Sequence, residues 1–420
     1  MDKHKRNIAL LLIFIGAKGN IIAISDGLLL FTFFYTVFYI RYFKVPIPKS
    51  ALYLLYGYIV LTILYLAKFN WVNYYSTIRF AMKMYTGFFG ILILKEHLFY
   101  LFEKCLVTLS KVSLFFFPIQ LIAYPYLKQF IGIFETLIPP LDYRGNWYVN
   151  NFIFTMNDNA MYRNSGFAWE PKGFANLLIL AIFINLLRTG FTRNRNLTIL
   201  FITILTTQST TAIVTVFSMV PAFFLYNLKS QTKMLYFIIS IFVGIGMFNL
   251  DIVGNKIINE FNNSGEHLKY MDVDTDMDKV TLGRFGSMQL ALMDFAKNPV
   301  LGIGMQDKFR TDSEFTHLVY VNGIADFLSR FGLLGMVFLA YTYYHSTKKI
   351  FQFYNKKGFI FLFLSFLFIF FASAIIINPL YFAFEFYFLA NLIPANRLSN
   401  TLKSLPMVTV ISDHPNENPK

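Results

Sequence analysis

Apolar residues run in blocks of membrane-spanning length from one end of the chain to the other, separated mostly by short polar stretches. About 20 consecutive apolar residues cover the ~30 Å hydrocarbon layer as a helix. Helices satisfy every backbone polar group within one segment, as a bilayer demands. The blocks predict twelve helices, at about 8–24, 27–40, 51–67, 77–94, 105–124, 172–188, 197–208, 210–227, 234–250, 320–345, 358–377 and 380–394. The block at 197–208 is short, so it predicts a half-buried helix or one joined to the next. Two polar gaps are long, at about 125–171 and 251–319. The first carries Phe130, Ile133, Phe134 and Leu137 at helical spacing beside Lys128 and Glu135, which predicts a helix on the membrane surface. The expected fold is an all-α polytopic membrane domain over 1–398, followed by a polar, disordered tail over 399–420. No internal repeat is visible.

Composition agrees. The chain is 56% hydrophobic and 14% charged, against the ~25% charge of a soluble domain. The first apolar run has basic flanks and no small-residue cleavage pattern, so it is expected to be the first span. The single cysteine, Cys105, excludes an internal disulfide and a multi-cysteine metal site. The net charge of +14 does not indicate nucleic acid, because the basic residues are spread among short loops. Alternate loops hold Lys3, Lys5 and Arg6; Arg41, Lys44 and Lys49; Lys95 and Lys104; Arg188, Arg193 and Arg195; Lys229 and Lys233; and Lys348, Lys349, Lys356 and Lys357. The short loops between them hold only Lys68. That asymmetry predicts cytoplasmic termini and two long segments on the opposite, outer side.

Several polar groups could carry chemistry. Arg163-Asn-Ser-Gly-Phe-Ala-Trp-Glu170-Pro171 closes the first long segment. Pro171 suits a first helical turn and Glu170 suits the N-terminus ahead of it. The segment is read either as a capped helix with a solvated Arg/Glu pair, or as an anion-binding arginine beside a carboxylate base. Arg284 opens an amphipathic run that ends in Pro299-Val-Leu-Gly302-Ile-Gly304. Paired glycines allow a tight turn and close backbone approach, and a fixed arginine can grip phosphate with two parallel hydrogen bonds. His317 lies about one helical turn before Val321-Asn322 and could exchange a proton near neutral pH. Arg79 and Lys83 share one helix face. They either snorkel or face a polar cavity. Arg330 and Glu385 lie inside predicted spans and are candidates to pair. Asp272, Asp274, Asp276 and Asp278 have calcium-loop spacing, but the loop's sixth position is not glycine and its twelfth is Gly283, so an EF-hand is excluded. No zinc motif or nucleotide-cradling glycine loop is present.

These segments resemble the O-antigen polymerase and O-antigen ligase superfamily of membrane glycosyltransferases. The resemblance rests on Arg163 to Pro171 ahead of a span, on Ser209-Thr-Thr-Ala-Ile, on Arg284 with Asn298 to Gly304, and on Asn322 followed nine residues later by Gly332-x-x-Gly335. They run in family order across roughly 160–340. The resemblance implies a GT-C-like fold and a substrate oligosaccharide on undecaprenyl diphosphate. It implies transfer of the glycan to an acceptor hydroxyl without nucleotide or metal cofactor. It also implies work beside a flippase and a chain-length regulator. On this reading Arg163, Arg284 and Arg79 are the candidates for the diphosphate, and Glu170 and His317 for the base. Asn322, Gly302, Gly304, Gly332 and Gly335 are motif positions. Ligases of the family carry a histidine where this chain has Val321, and often Ser-Arg where it has Ser209-Thr210. His317 is displaced by about 5–6 Å along a helix from Val321. These departures favour a polymerase over a ligase. A lipid-linked oligosaccharide flippase shares the composition, but this chain lacks the two related halves common in transporters.

Overall fold

A computed structural model describes residues 3–139, 141–143, 146–190, 194–227, 283–310 and 321–390, with a few isolated positions between 238 and 262. The chain is mostly helical. The helices are α1 (Lys3–Ala17), α2 (Ile21–Ile24), α3 (Asp26–Tyr42), α4 (Lys49–Phe69), α5 (Tyr74–Leu94), α6 (His97–Gly132), α7 (Pro171–Thr189), α8 (Arg195–Thr206) and α9 (Thr210–Asn227). Then follow α10 (Arg284–Lys297), α11 (Gly323–Phe353), α12 (Phe359–Ala372), α13 (Pro379–Glu385) and α14 (Tyr387–Ala390). Among the described residues, α4, α5, α6, α7 and α11 are long and apolar enough to cross a membrane, and α8, α12 and the first part of α9 are shorter apolar helices. The predicted span at 234–250, the tail, the Asp272–Asp278 run and His317 lie outside the described residues.

Burial separates two kinds of helix. α7 is hydrophobic on all sides and is buried from Phe174 to Leu187, as expected of a helix at the centre of a bundle. α4 is equally apolar, yet Tyr53, Tyr56, Val60 and Ile63 are exposed. Such a surface suits contact with lipid chains. Polar side chains set the helix starts. Ser25 accepts from the Leu28 N–H at 3.2 Å, Asn73 from Ser76 at 3.1 Å and Asn194 from Leu197 at 2.9 Å. Each satisfies a donor that the first helical turn leaves open. Pro171 occupies the first turn of α7, with Glu170 before it, as the sequence predicts.

At the far end of α7 the buried Glu103 carboxylate receives Arg188 through Nε at 2.7 Å and Nη2 at 2.8 Å, and Asn185 at 2.6 Å. Removing the cation would leave a buried charge uncompensated. Arg188 is itself about one-third exposed, so solvent screens part of the effect. Arg188→Ala is therefore expected to destabilise the fold by about 3 kcal/mol, and Glu103→Gln in the same background to restore much of it. Thermal unfolding in detergent checks both.

Two irregularities shape the opposite end. α6 kinks at Ala123, between Pro118 and Pro125, because proline removes one backbone bond and crowds the preceding turn. Its distal arm runs to Gly132, and Tyr126, Phe130, Ile133, Phe134 and Leu137 are exposed there. The apolar residues of the predicted surface helix thus fall on the arm of α6 beyond the kink and on the turn that follows it. After it comes a small antiparallel sheet, β1 (Leu141–Tyr143), β2 (Asn146–Asn150) and β3 (Thr155–Asn157), with Leu141 opposite Tyr148 and Val149 opposite Met156. The sequence reading contained no strand.

The second irregularity is a break in α11 at Gly332, whose φ is 60° and ψ −163°. The segment 299–304 fills it. Ile303 N donates to Ser329 O at 3.1 Å, Gly304 N to Arg330 O at 2.6 Å and Leu333 N to Pro299 O at 2.8 Å. The Tyr65 hydroxyl adds bonds to Leu301 O at 2.7 Å and Arg330 O at 3.2 Å. Backbone groups freed by the break therefore find partners inside the protein, as non-helical backbone at membrane depth requires. Gly302, Gly304 and Gly332 all have positive φ and belong to this one joint. Gly335 packs one turn on, where an added Cβ would lie 2.2 Å from Phe331 Cβ.

Arg330 does not pair with Glu385. It binds Asp326 one turn back, Nε to Oδ1 at 3.1 Å. Glu385 instead accepts from Thr342 at 2.8 Å. Thr342 is twelve residues further along α11 than Arg330, about 18 Å away along a helix, which explains why the two groups cannot meet.

Candidate functional site

Charged groups gather at the end of the bundle where α3, α5, α7, α11 and α13 begin. A cavity of about 260 Å³ lies there, lined by Lys18, Asp26, Arg79, Lys83, Trp169 and Asn378 among others. Lys18 follows the last residue of α1, in a left-handed turn with φ 51°. Asp26 opens α3 behind its Ser25 cap. Arg79 projects from the second turn of α5 and holds Asp26 at 2.6 Å, with the Tyr75 hydroxyl on the same carboxylate. Arg79 and Lys83 thus face a polar cavity rather than only snorkelling.

The Arg163–Glu170 segment stands beside this cavity, tied down from several sides. Asn164 is fully buried; its amide donates to Thr206 Oγ1 at 2.9 Å and Ser113 Oγ at 3.2 Å, and its oxygen accepts from Gly166 N at 2.9 Å. Gln120 donates to Met161 O at 2.6 Å and Arg163 O at 3.2 Å. Arg163 Nε donates to Thr207 O at 3.1 Å, at the turn between α8 and α9. Burial pushes the Arg163 guanidinium below its ordinary value; Glu170 opposes that and Arg284 adds to it. The fold therefore brings Arg163 within electrostatic reach of both Glu170 and Arg284. Glu170 also meets Lys172 at 3.6 Å. Arg284 is the first residue of α10, and its carbonyl accepts from Ser287, whose hydroxyl accepts in turn from Asn322 N at 3.2 Å. Asn322 caps α11, accepting from Ala325 N at 3.0 Å, and is fully buried. Its role in this structure is to fix two helix starts side by side.

One electrostatic network joins these groups. Lys18 feels Glu170, Arg79 and Asp326, and Lys83 feels Lys18, Arg79, Asp26 and Arg330. Asp326 bridges two guanidiniums, Arg310 at 3.1 Å and Arg330 at 3.1 Å. Among the described residues, cations outnumber carboxylates here: Lys18, Arg79, Lys83, Arg163, Arg284, Arg310 and Arg330 against Asp26, Glu170 and Asp326. The arrangement suits a multiply charged anion, since guanidiniums offer forked donors matched to phosphate oxygens. Asp326→Ala would leave two buried guanidiniums facing each other and is expected to destabilise the fold by about 3 kcal/mol. Asp326→Glu should keep most of the stability, and unfolding midpoints of the two variants decide.

Of the residues read from the sequence, Arg79, Arg163, Arg284 and Glu170 belong to this network, whereas Arg163, Arg284 and Glu170 do not line the cavity itself. The network adds Lys18, Asp26, Arg310 and Asp326. Lys18 had a signal, the polar break Lys18-Gly19-Asn20 inside an apolar run, and Asp326 had one in its spacing of four from Arg330. The residues and fold define a helical membrane protein with an electropositive cleft at one end of its bundle. No family model, curated protein or solved structure matches the chain.

Proposed function

We propose that the protein is a polymerase of bacterial surface polysaccharide. It would transfer a glycan from undecaprenyl diphosphate to the non-reducing end of another lipid-linked repeat unit. A cluster of cations at one end of the bundle, held by Asp26 and Asp326 and including Arg163 between Glu170 and Arg284, carries this reading. The site end would face outward, with twelve spans, a GT-C-like arrangement and both termini in the cytoplasm. The basic loops around Arg41, Lys95, Arg188 and Lys348 at the other end support that orientation.

The chemistry follows from the charges. The acceptor hydroxyl oxygen attacks the anomeric carbon, the bond from that carbon to the diphosphate oxygen breaks, and the electron pair leaves with the diphosphate. Arg163 and Arg284, with Arg79 and Lys18 nearby, oppose the negative charge that develops on the leaving group. The hydroxyl proton passes to the Glu170 carboxylate, which stands at the start of α7 and is the described candidate base. His317, the other candidate, lies outside the described residues.

Val321 in place of the ligase histidine favours polymerisation over ligation. A deletion strain separates the two. Loss of a polymerase leaves one repeat on the acceptor; polymer stranded on its lipid carrier would mean a ligase instead. Movement of lipid-linked sugar across a bilayer without elongation would mean a flippase.

A further inference from the structure

A second basic site lies at the opposite end of the bundle, in a cavity of about 380 Å³ between α6, α7 and α8. Its walls carry Tyr100, Lys104, Thr108 and Lys111 from α6, with Arg188 and Asn196 across the groove. Positions 100, 104, 108 and 111 share one helix face. Glu103, the carboxylate in the wall, is already held by Arg188 and Asn185. Lys104 lies over the Tyr100 ring, 6.0 Å from its centre. Neither Lys104 nor Lys111 has an ion pair among the described residues. Lys111 sits about 10 Å further into the bundle than Lys104, with its side chain exposed on the flank of a helix long enough to span the membrane. A cation there calls for an anion or for a path back to the interface, and its flexible stem can lean toward Lys104. Both lysines line the one cavity.

The same face of α6 changes character beyond Lys111. Phe115, Ile119 and Ile122 continue the stripe and are exposed, Ile122 at 87%. The flank of α6 is thus basic inside the cavity and apolar beyond it, over roughly the length of a lipid chain. We propose that it binds an anionic phospholipid, with the headgroup phosphate at Lys104 and Lys111 beside Arg188 and an acyl chain along Phe115, Ile119 and Ile122. A free phosphate would use only the basic half. The phospholipid uses both, and basic pockets between helices at a membrane face are suited to such headgroups. The site is separate from the cation cluster and does not depend on the glycan chemistry.

The test uses the full-length protein in mixed micelles holding equal phosphatidylglycerol and phosphatidylcholine, with bound lipid read by native mass spectrometry. Wild type is expected to keep one phosphatidylglycerol, preferred roughly thirtyfold, the scale of two lysine contacts with an anionic headgroup. Lys104→Ala with Lys111→Ala should abolish most of the preference. Lys104→Arg with Lys111→Arg should retain it, as should Lys44→Ala with Lys95→Ala at the same end of the bundle. Millimolar inorganic phosphate should not displace the lipid. The proposal is overturned if wild type keeps the two lipids equally, if the alanine pair keeps the preference, if phosphate alone displaces the lipid, or if an acidic protein occupies the groove instead.

Discussion

Replacing Arg163 and Arg284 together by alanine is expected to leave the protein in the membrane and to abolish polymer. On the proposed chemistry, each guanidinium would oppose the charge that develops as the diphosphate departs. Removing one preorganised donor of that kind slows reactions by about 10²–10³. Arg163 gives one bond to Thr207 O, and the loop around it is anchored independently through Asn164 and Gln120. Cells carrying the double variant should therefore show glycan of single-repeat length on a gel, with normal protein in the membrane fraction. Single variants should give short ladders. Full-length polymer from the double variant would remove both residues from the chemistry.

Gly332→Ala is expected to destroy the fold by a different route. The φ and ψ of 60° and −163° lie in a region that only glycine enters readily. An added Cβ would sit 2.3 Å from the Val300 carbonyl oxygen and 2.6 Å from Gly302 N. Both are backbone atoms, so no rotamer can give way. Relief would require the 299–304 segment to leave α11, which frees the carbonyls of Ser329 and Arg330 inside the protein. Strain of about 1–3 kcal/mol and unpaired groups of about 1–3 kcal/mol each together exceed the effect expected of Arg188→Ala. Loss of monodisperse protein in detergent is the expected result. Gly57→Ala, on a helix with open space at that position, should behave as wild type.

The bundle was the most legible part of the sequence. α5, α7 and α9 fall within a few residues of their apolar blocks, because block length and flanking charge are local properties. What depends on distant contacts was hidden. The block at 8–24 hid the turn at Lys18 because apolar residues flank it on both sides, so a cation that lines the cavity read as part of a span. Arg330 was paired with Glu385 as two buried opposite charges, although Asp326, its neighbour on the same helix face, was the nearer partner. The strands are three to five residues long and pair only through tertiary context. Gly302, Gly304 and Gly332 were visible as motif glycines. That they meet in one joint follows only from the break in α11. That Arg163 feels both Glu170 and Arg284 depends on how distant segments pack and has no local signal, while the choice of base between Glu170 and His317 rests on sequence.

A titration of a polyprenyl diphosphate onto the purified protein in lipid nanodiscs asks the most pointed question, with the matching polyprenyl alcohol as reference. Fixed cations that hold a departing pyrophosphate should bind the diphosphate far more tightly than the alcohol, and Arg163→Ala with Arg284→Ala should weaken it at least about tenfold, as loss of charged hydrogen bonds of about 1.5–3 kcal/mol each requires. Equal affinity of wild type and double variant for the diphosphate would contradict the account.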